Sequence, residues 1–374
     1  MSQTTSINEQ TSAAGSAAAE RPVDNTAVAA PLLKPSAAGG AAAGAGAPLT
    51  AAVVGASGFT GALLAELLLR HPHLQLVAVT SESLAGQPVQ DHLPRLRTEL
   101  DFCAAADLTG AEVAFVCLPH GEAAHTVMRL LADGVLVVDL SADFRLGADE
   151  YAVWYGPHPC PGLLPGVYGL TEYHRAEIAA AKLVANPGCY PTAALLALYP
   201  LLQFGLQDVI IDAKSGVSGA GRTPTERTHF CSADSDLTAY GVQSHRHYPE
   251  IAGPLGALAA GGPALTFVPH LVPLQRGIVE TIYVRVNELP AAAELREHYR
   301  AAYAEERFVH VIEQPPQLRD VVGTNDCRIY PTVDERAGRV ILIVAIDNLM
   351  KGASGQAVQN MNVMLGLPEH EGLA

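Results

Sequence analysis

The amino-acid sequence predicts an α/β protein of two domains, a parallel sheet sandwiched by helices and then a second sheet domain. Three observations lead there. Apolar runs alternate with helical patterns from residue 51 to about residue 140. A glycine-spaced turn joins the first run to the first helix. Past about residue 187 the strands lengthen and take up polar positions.

The strand-like runs of the first half are residues 51–54, 76–79, 113–117 and 135–140. They are apolar on both faces rather than alternating, as parallel strands are when helices cover each side. Residues 60–70, rich in Leu and Ala, read as the helix between the first two runs. Residues 122–131, ended by Asp133-Gly134, read as the helix between the last two. In the second half, residues 278–286 form a strand whose apolar run is interrupted by Glu280 and Arg285, so an antiparallel sheet with one less buried face is expected. Residues 291–304 read as a helix, 339–346 as a buried strand and 354–365 as a final helix. No repeat of solenoid or propeller period occurs.

A chain of 374 residues, 49% hydrophobic and 16% charged, has enough apolar material for a large core and about two domains. Residues 1–48 differ. They consist mainly of Ala, Gly, Ser, Thr and Pro, bury too little to offset their ordering entropy, and are expected to be a disordered tail. A formal charge of -15 argues against nucleic acid or an acidic membrane surface as the main partner. No uninterrupted apolar stretch of about 18 to 20 residues is present, and the N-terminus lacks the basic and apolar regions of a signal peptide. Six cysteines with no Cys-x-x-Cys pair and no zinc-ligand spacing suit free thiols in a reducing compartment, with no metal site. A cytoplasmic protein is expected.

The turn at 55–61, GASGFTG, carries Gly55, Gly58 and Gly61 with Ala56, Ser57, Phe59 and Thr60 between them. Gly55 permits a tight turn, Gly58 lets backbone approach a pyrophosphate, and Gly61 lets the helix pack close to the strand, while the helix N-terminus offers free N–H groups. The spacing is G-x-x-G-x-x-G, and an ordinary glycine-rich βα turn is the competing reading. The strand before and the helix after favour a dinucleotide.

Free cysteine is usually a small buried hydrophobe, and Cys103, Cys117 and Cys327 fit that description. Cys189 stands apart. It lies in NPGCYPT at 186–192, directly before a helical run at 193–202, with Pro191 suited to the first helical position. A thiol at the positive end of a helix is expected to have a lowered pKa and a larger thiolate population, as a nucleophile needs; a structural role is the alternative. The densest histidine cluster is SHRHYPE at 244–250, with His245 and His247 flanking Arg246. A metal would need two or three more ligands than the nearby sequence offers, a solvated loop is the plain alternative, and Arg246 suits an anionic substrate.

At these residues the chain from about Ala51 onward resembles the N-acetyl-gamma-glutamyl-phosphate reductase family, which makes N-acetylglutamate semialdehyde in arginine biosynthesis. The resemblance rests on seven ordered motifs: GASGFTG at 55–61, LPHG at 118–121, DLSADFR at 139–145, NPGCYPT at 186–192, SGVSGAGR at 215–222, HRHYPEI at 245–251 and DNLMKGASGQ at 347–356.

The resemblance implies a Rossmann-type domain over residues 49–187, completed by 347–374, and an α+β catalytic and dimerisation domain of the semialdehyde dehydrogenase type over 188–346. Cys189 would attack the acyl phosphate and form a thioester, which hydride from the nicotinamide reduces. His245 would give a proton to the collapsing hemithioacetal, with His247 close by at the substrate. Arg145, Ser215, Gly216 and Arg222 are expected at the substrate. Ser218, Gly219, Leu118, Pro119 and Asn348 are expected at the cofactor, together with the glycine turn and the Ser81 and Ser83 hydroxyls after the second strand. NADPH is the expected cofactor. The family often carries a Ser-Arg pair after the second strand, however, and Glu82 stands where the arginine would, which leaves NADH open. A homo-oligomer, dimer or tetramer, is expected. The alternatives are aspartate-semialdehyde dehydrogenase, a lysine-pathway relative acting on a carrier-bound substrate, and a nucleotide-sensing module. The HRHYPEI and SGVSGAGR segments weigh against the first, the net charge against the second, and the retained Cys189 and histidines against the third.

Overall fold

A computed structural model describes residues 47–257 and 261–373. The expectation for the N-terminal tail lies almost wholly outside these residues. Seven parallel strands form the first sheet, in the order β3-β2-β1-β4-β5-β7-β6. In sequence they are β1 (Leu49–Val54), β2 (Leu74–Thr80), β3 (Phe102–Cys103), β4 (Val113–Val116), β5 (Leu136–Asp139), β6 (Val167–Tyr168) and β7 (Leu183–Ala185). Alternate residues of the central strands feed two cores. Val53, Phe115 and Val138 pack against Leu64, Leu68, Val358 and Met361 on one face. On the other, Val54, Val116 and Val137 meet Ala124, Val127 and Leu130. Helices on both faces explain why these strands are apolar without alternation.

The second sheet has the order β12-β13-β14-β11-β8-β10-β9. Its strands are β8 (Leu206–Gly216), β9 (Thr238–Ala239), β10 (Ala264–Val272), β11 (Ile278–Val286), β12 (Val309–Val311), β13 (Cys327–Asp334) and β14 (Arg339–Ile346). The sheet is mixed, which corrects the antiparallel expectation. β8 pairs with β11 antiparallel but with β10 parallel, because the long connection of residues 217–263 returns the chain to the same end of the sheet. One face buries Ile211, Ile282 and Val344 under helices Cys189–Leu198 and Ala292–Ala302. The opposite face, with Ile210, Tyr283 and Ile343, is half-buried.

The chain then returns to the first sheet. Helix Gly355–Met364 is buried up to Val363, although Gln356, Gln359, Asn360 and Asn362 lie on it. Just before it, Lys351 is fully buried and its Nζ donates to Glu172 Oε1 at 2.5 Å and to Gln359 Oε1 at 2.8 Å. Burial alone would raise the Glu172 pKa, but the Lys351 ammonium outweighs it and holds the carboxyl below its ordinary value.

Glu172→Gln or Lys351→Met leaves one buried charge uncompensated and should cost about 3–5 kcal/mol in denaturant titration. The Glu172 contribution is complete above the ordinary carboxylate pKa and is lost as pH falls through the depressed one, so the wild-type advantage over Glu172→Gln should shrink on acidification.

Candidate active site

The glycine turn is built by sterics. Gly55 has φ +79°, and a Cβ there would lie 2.8 Å from the Cys117 carbonyl oxygen; a Cβ on Gly61 would lie 2.4 Å from the Gly55 oxygen. Helix Phe59–Leu68 therefore starts hard against β1, and no side chain caps its first amides. That bare amide end in a cradle too tight for side chains fits a dinucleotide pyrophosphate. Leu118 lies over the turn, with its Cδ2 3.3 Å from the Cβ position of Gly55, and the Pro119 carbonyl accepts from the Glu122 amide at 3.2 Å. Ser81 Oγ donates to Ser57 Oγ at 3.2 Å and lies 3.4 Å from Ser83 Oγ.

Cys189 is the first residue of helix Cys189–Leu198. The helix begins earlier than the sequence suggested, so Pro191 is its third residue, still within the first turn where its missing N–H costs nothing. The returning segment packs against Cys189: a Cβ on Gly352 would lie 2.8 Å from Cys189 Cβ. The His247 ring and the Arg145 guanidinium crowd the neighbouring Gly188, with His247 Nε2 2.6 Å from its Cβ position. The rings of His245 and His247 are 4.9 Å apart, and both meet Tyr190 edge-on.

The loop after β8 joins the same region. Asn348 Nδ2 donates to Ser218 Oγ at 3.0 Å, its Oδ1 accepts from the Gly277 amide at 2.6 Å, and Ser215 Oγ lies 2.9 Å from the Cβ position of Gly219. Gly216 is locked by its amide bond to the Gly277 carbonyl at 2.9 Å. Arg222, by contrast, reaches away from Cys189 to the glycine turn, where its Nη1 donates to Ser57 O at 2.5 Å. Among the described residues, no three His, Cys, Asp or Glu side chains are grouped to hold a metal, and no helix is long and apolar enough to cross a membrane.

Residues 50–181 match the family model "Semialdehyde dehydrogenase, NAD binding domain", and residues 189–348 match "Semialdehyde dehydrogenase, dimerisation domain". The N-acetyl-gamma-glutamyl-phosphate reductase of Dehalococcoides mccartyi is 51% identical over 331 residues, covering 86% of this chain and 96% of that protein. The protein of the same name from Desulforudis audaxviator is 49% identical over 334 residues, with the same coverage. This chain belongs to the N-acetyl-gamma-glutamyl-phosphate reductase family. Solved structures of aspartate semialdehyde dehydrogenase II from Vibrio cholerae (TM-score 0.67, 16% identity, 86% of this chain and 99% of that one) and aspartate semialdehyde dehydrogenase with NADP from Candida albicans (0.60, 15%, with the same shares) have the same fold.

In this family member the turn before Cys189 rests on a carboxylate to which the sequence pattern assigned no role. Glu250, buried within HRHYPEI, accepts from the Gly188 amide at 2.7 Å and the Tyr168 hydroxyl at 2.8 Å through Oε1, and from Arg145 Nη1 at 3.2 Å through Oε2. Its signal was a glutamate at the start of a proline-led helix, next to two candidate acid/base histidines. Tyr240 was missed as well; its hydroxyl lies 3.0 Å from that of Tyr190 and its ring stands edge-on to His245.

The electrostatics correct one expectation. Burial pushes the Cys189 thiol up to about 12, and the opposing pull of the Tyr190 amide and of Arg145 does not overcome it. Burial likewise lowers His245 to about 4 and takes His247 well below its ordinary range, with His245 and Arg145 adding to the effect on His247. The free chain therefore holds a neutral thiol beside two neutral imidazoles. His245 Nδ1 accepts the His247 amide at 3.1 Å, which leaves its proton on Nε2 as a donor.

Iodoacetamide at pH 7 should thus alkylate exposed Cys231 before Cys189, as read by peptide mass spectrometry on a time course. Faster labelling of Cys189 would show a preformed thiolate.

Proposed function

We propose that this chain reduces N-acetyl-L-glutamyl 5-phosphate to N-acetyl-L-glutamate 5-semialdehyde and phosphate through a thioester on Cys189, with NADPH as reductant. The observation that carries the reading is the placement of Cys189 at a buried helix start, against the returning Gly352 segment and beside the His245–His247 pair. In this mechanism the Cys189 sulfur attacks the acyl carbon, the bond from carbon to phosphate oxygen breaks, and the thiol proton leaves with the phosphate. Arg145, held beside Gly188 by Glu250, and the first amides of the helix favour the charge that develops there. A bound nicotinamide supplies the hydride for the thioester carbon. The His245 Nε2–H then donates a hydrogen bond to the oxygen of the tetrahedral adduct, and as the carbon–sulfur bond breaks the departing Cys189 sulfur takes up a solvent proton relayed by His245.

The cradle at Gly55–Gly61 is where the dinucleotide would bind, with Leu118 and Asn348 toward the nicotinamide end. Glu82 does not argue for NADH, because its Oε1 already accepts the Ala105 amide at 2.9 Å and the Ser57, Ser81 and Ser83 hydroxyls are left to face a 2′-phosphate. The half-buried sheet face carrying Ile210, Tyr283 and Ile343 suits a second copy of the chain, and the reading places the enzyme in the cytoplasm as a homo-oligomer.

Cys189→Ser should abolish the acyl adduct while leaving the melting temperature close to wild type. Mass spectrometry of trapped enzyme checks this, and an adduct on another cysteine would refute the assignment. His245→Asn should lower kcat by roughly 10²- to 10⁴-fold with less effect on KM. Damage confined to His247→Asn would reverse the two roles. Turnover on N-acetyl-L-glutamate 5-semialdehyde should exceed that on aspartate semialdehyde in an assay run in the reverse direction, with NADP+ and phosphate.

A further inference from the structure

In Rossmann-type sheets the residues after the second strand face the adenosine ribose, where a cation selects the 2′-phosphate and a carboxylate the free hydroxyls. Here that segment supplies no cation. Glu82 is engaged with the Ala105 amide, while Ser57, Ser81 and Ser83 gather three hydroxyls linked through Ser81 at 3.2 and 3.4 Å, Ser81 being 5% exposed. Hydroxyls can donate to phosphate oxygens but bring no charge. A group carrying close to two negative charges needs a cation as well.

The cation comes from the other sheet. Arg222 ends the loop that follows β8, and its Nη1 donates to the carbonyl of Ser57, the same residue whose hydroxyl accepts from Ser81. Ser57 thus joins the loop that ends in Arg222 to the segment that follows β2. The guanidinium makes no other hydrogen bond and no ion pair among the described residues, so its remaining donors are unspent.

We propose that Arg222 and the Ser57, Ser81 and Ser83 hydroxyls form the 2′-phosphate pocket of the dinucleotide, so that NADPH selectivity is carried by the second sheet's loop instead of by the segment after β2. This rests on the NADPH reading above and adds the residue that enforces it.

Isothermal titration of the full-length chain with NADP+, NAD+, 2′,5′-ADP and ADP, in wild type, Arg222→Met, Arg222→Lys and Ser81→Ala, tests it. Arg222→Met should weaken NADP+ and 2′,5′-ADP by about 10- to 100-fold and leave NAD+ and ADP within about twofold, the loss expected for charged hydrogen bonds. Arg222→Lys should restore part of that loss, and Ser81→Ala should weaken the same two ligands by a smaller factor. Equal weakening of all four ligands would assign Arg222 to the pyrophosphate and overturn the proposal. Unchanged nucleotide binding with a raised KM for the acyl phosphate would assign it to the substrate and overturn the proposal equally. A wild-type chain that binds NAD+ as tightly as NADP+ would instead overturn the NADPH reading itself.

Discussion

The last helix is the constraint on which the site depends. Four of its ten residues are Gln or Asn, all with at most 1% exposure, and an amide buried without partners is costly enough to melt the packing around it. Together they find partners in four other segments of the chain. Asn360 Nδ2 donates to the Gly169 carbonyl and to Asn186 Oδ1, Gln356 donates to the Gly169 carbonyl and Thr171, Gln359 accepts from Asn325, and Asn362 Oδ1 meets the His71 ring at 3.0 Å. A shift of the helix by one residue would unpair them all, so it has one register. That register fixes Asn186, three residues before the nucleophile, and through the preceding turn it sets Gly352 against Cys189 and Asn348 against Ser218.

The legible parts of the sequence were those in which local pattern and tertiary demand agree. Strands β11 and β14 were read with the observed bounds from their long apolar runs, and β1, β2, β4 and β5 within two residues, because parallel strands under two layers of helix must be apolar along their length. Short strands β3, β6 and β9 have two residues each, too few for any period to show. The parallel pairing of β8 with β10 was hidden for another reason: it follows from where a long connection returns, which no local pattern encodes. Cys189, His245 and the glycine turn were visible as motifs. Glu250 was not singled out because its importance lies in three partners, Gly188, Tyr168 and Arg145, that are distant in sequence and meet only on folding.

Burial and charge pull the site in opposite directions. A helix start with Arg145 nearby favours a thiolate, yet the packing around the partly buried Cys189 disfavours its charged form, and that desolvation dominates. The imidazoles obey the same rule with the opposite sign of charge. The outcome is a neutral thiol at Cys189 and neutral imidazoles at His245 and His247. Arg145 is prepared for that moment without being free: Glu250 holds one arm, the Leu140 carbonyl accepts from another at 2.8 Å, and the buried Nε keeps an unmet donor.

The connection of residues 217–263 gathers most of the remaining chemistry. It is a built segment, with short helices Phe230–Ala233 and Tyr248–Ala252 and strand β9 between them. Arg222 stands at its start on the glycine turn, Tyr240 reaches Tyr190, and the His245–Glu250 segment closes over Gly188. A parallel crossover is what allows this, since it carries the chain across the end of the second sheet that faces the first before returning as β10. An antiparallel hairpin between the same strands would have needed only a few residues and would have left Cys189 with no partner imidazole. The departure from the expected sheet and the assembly of the site thus have the same cause.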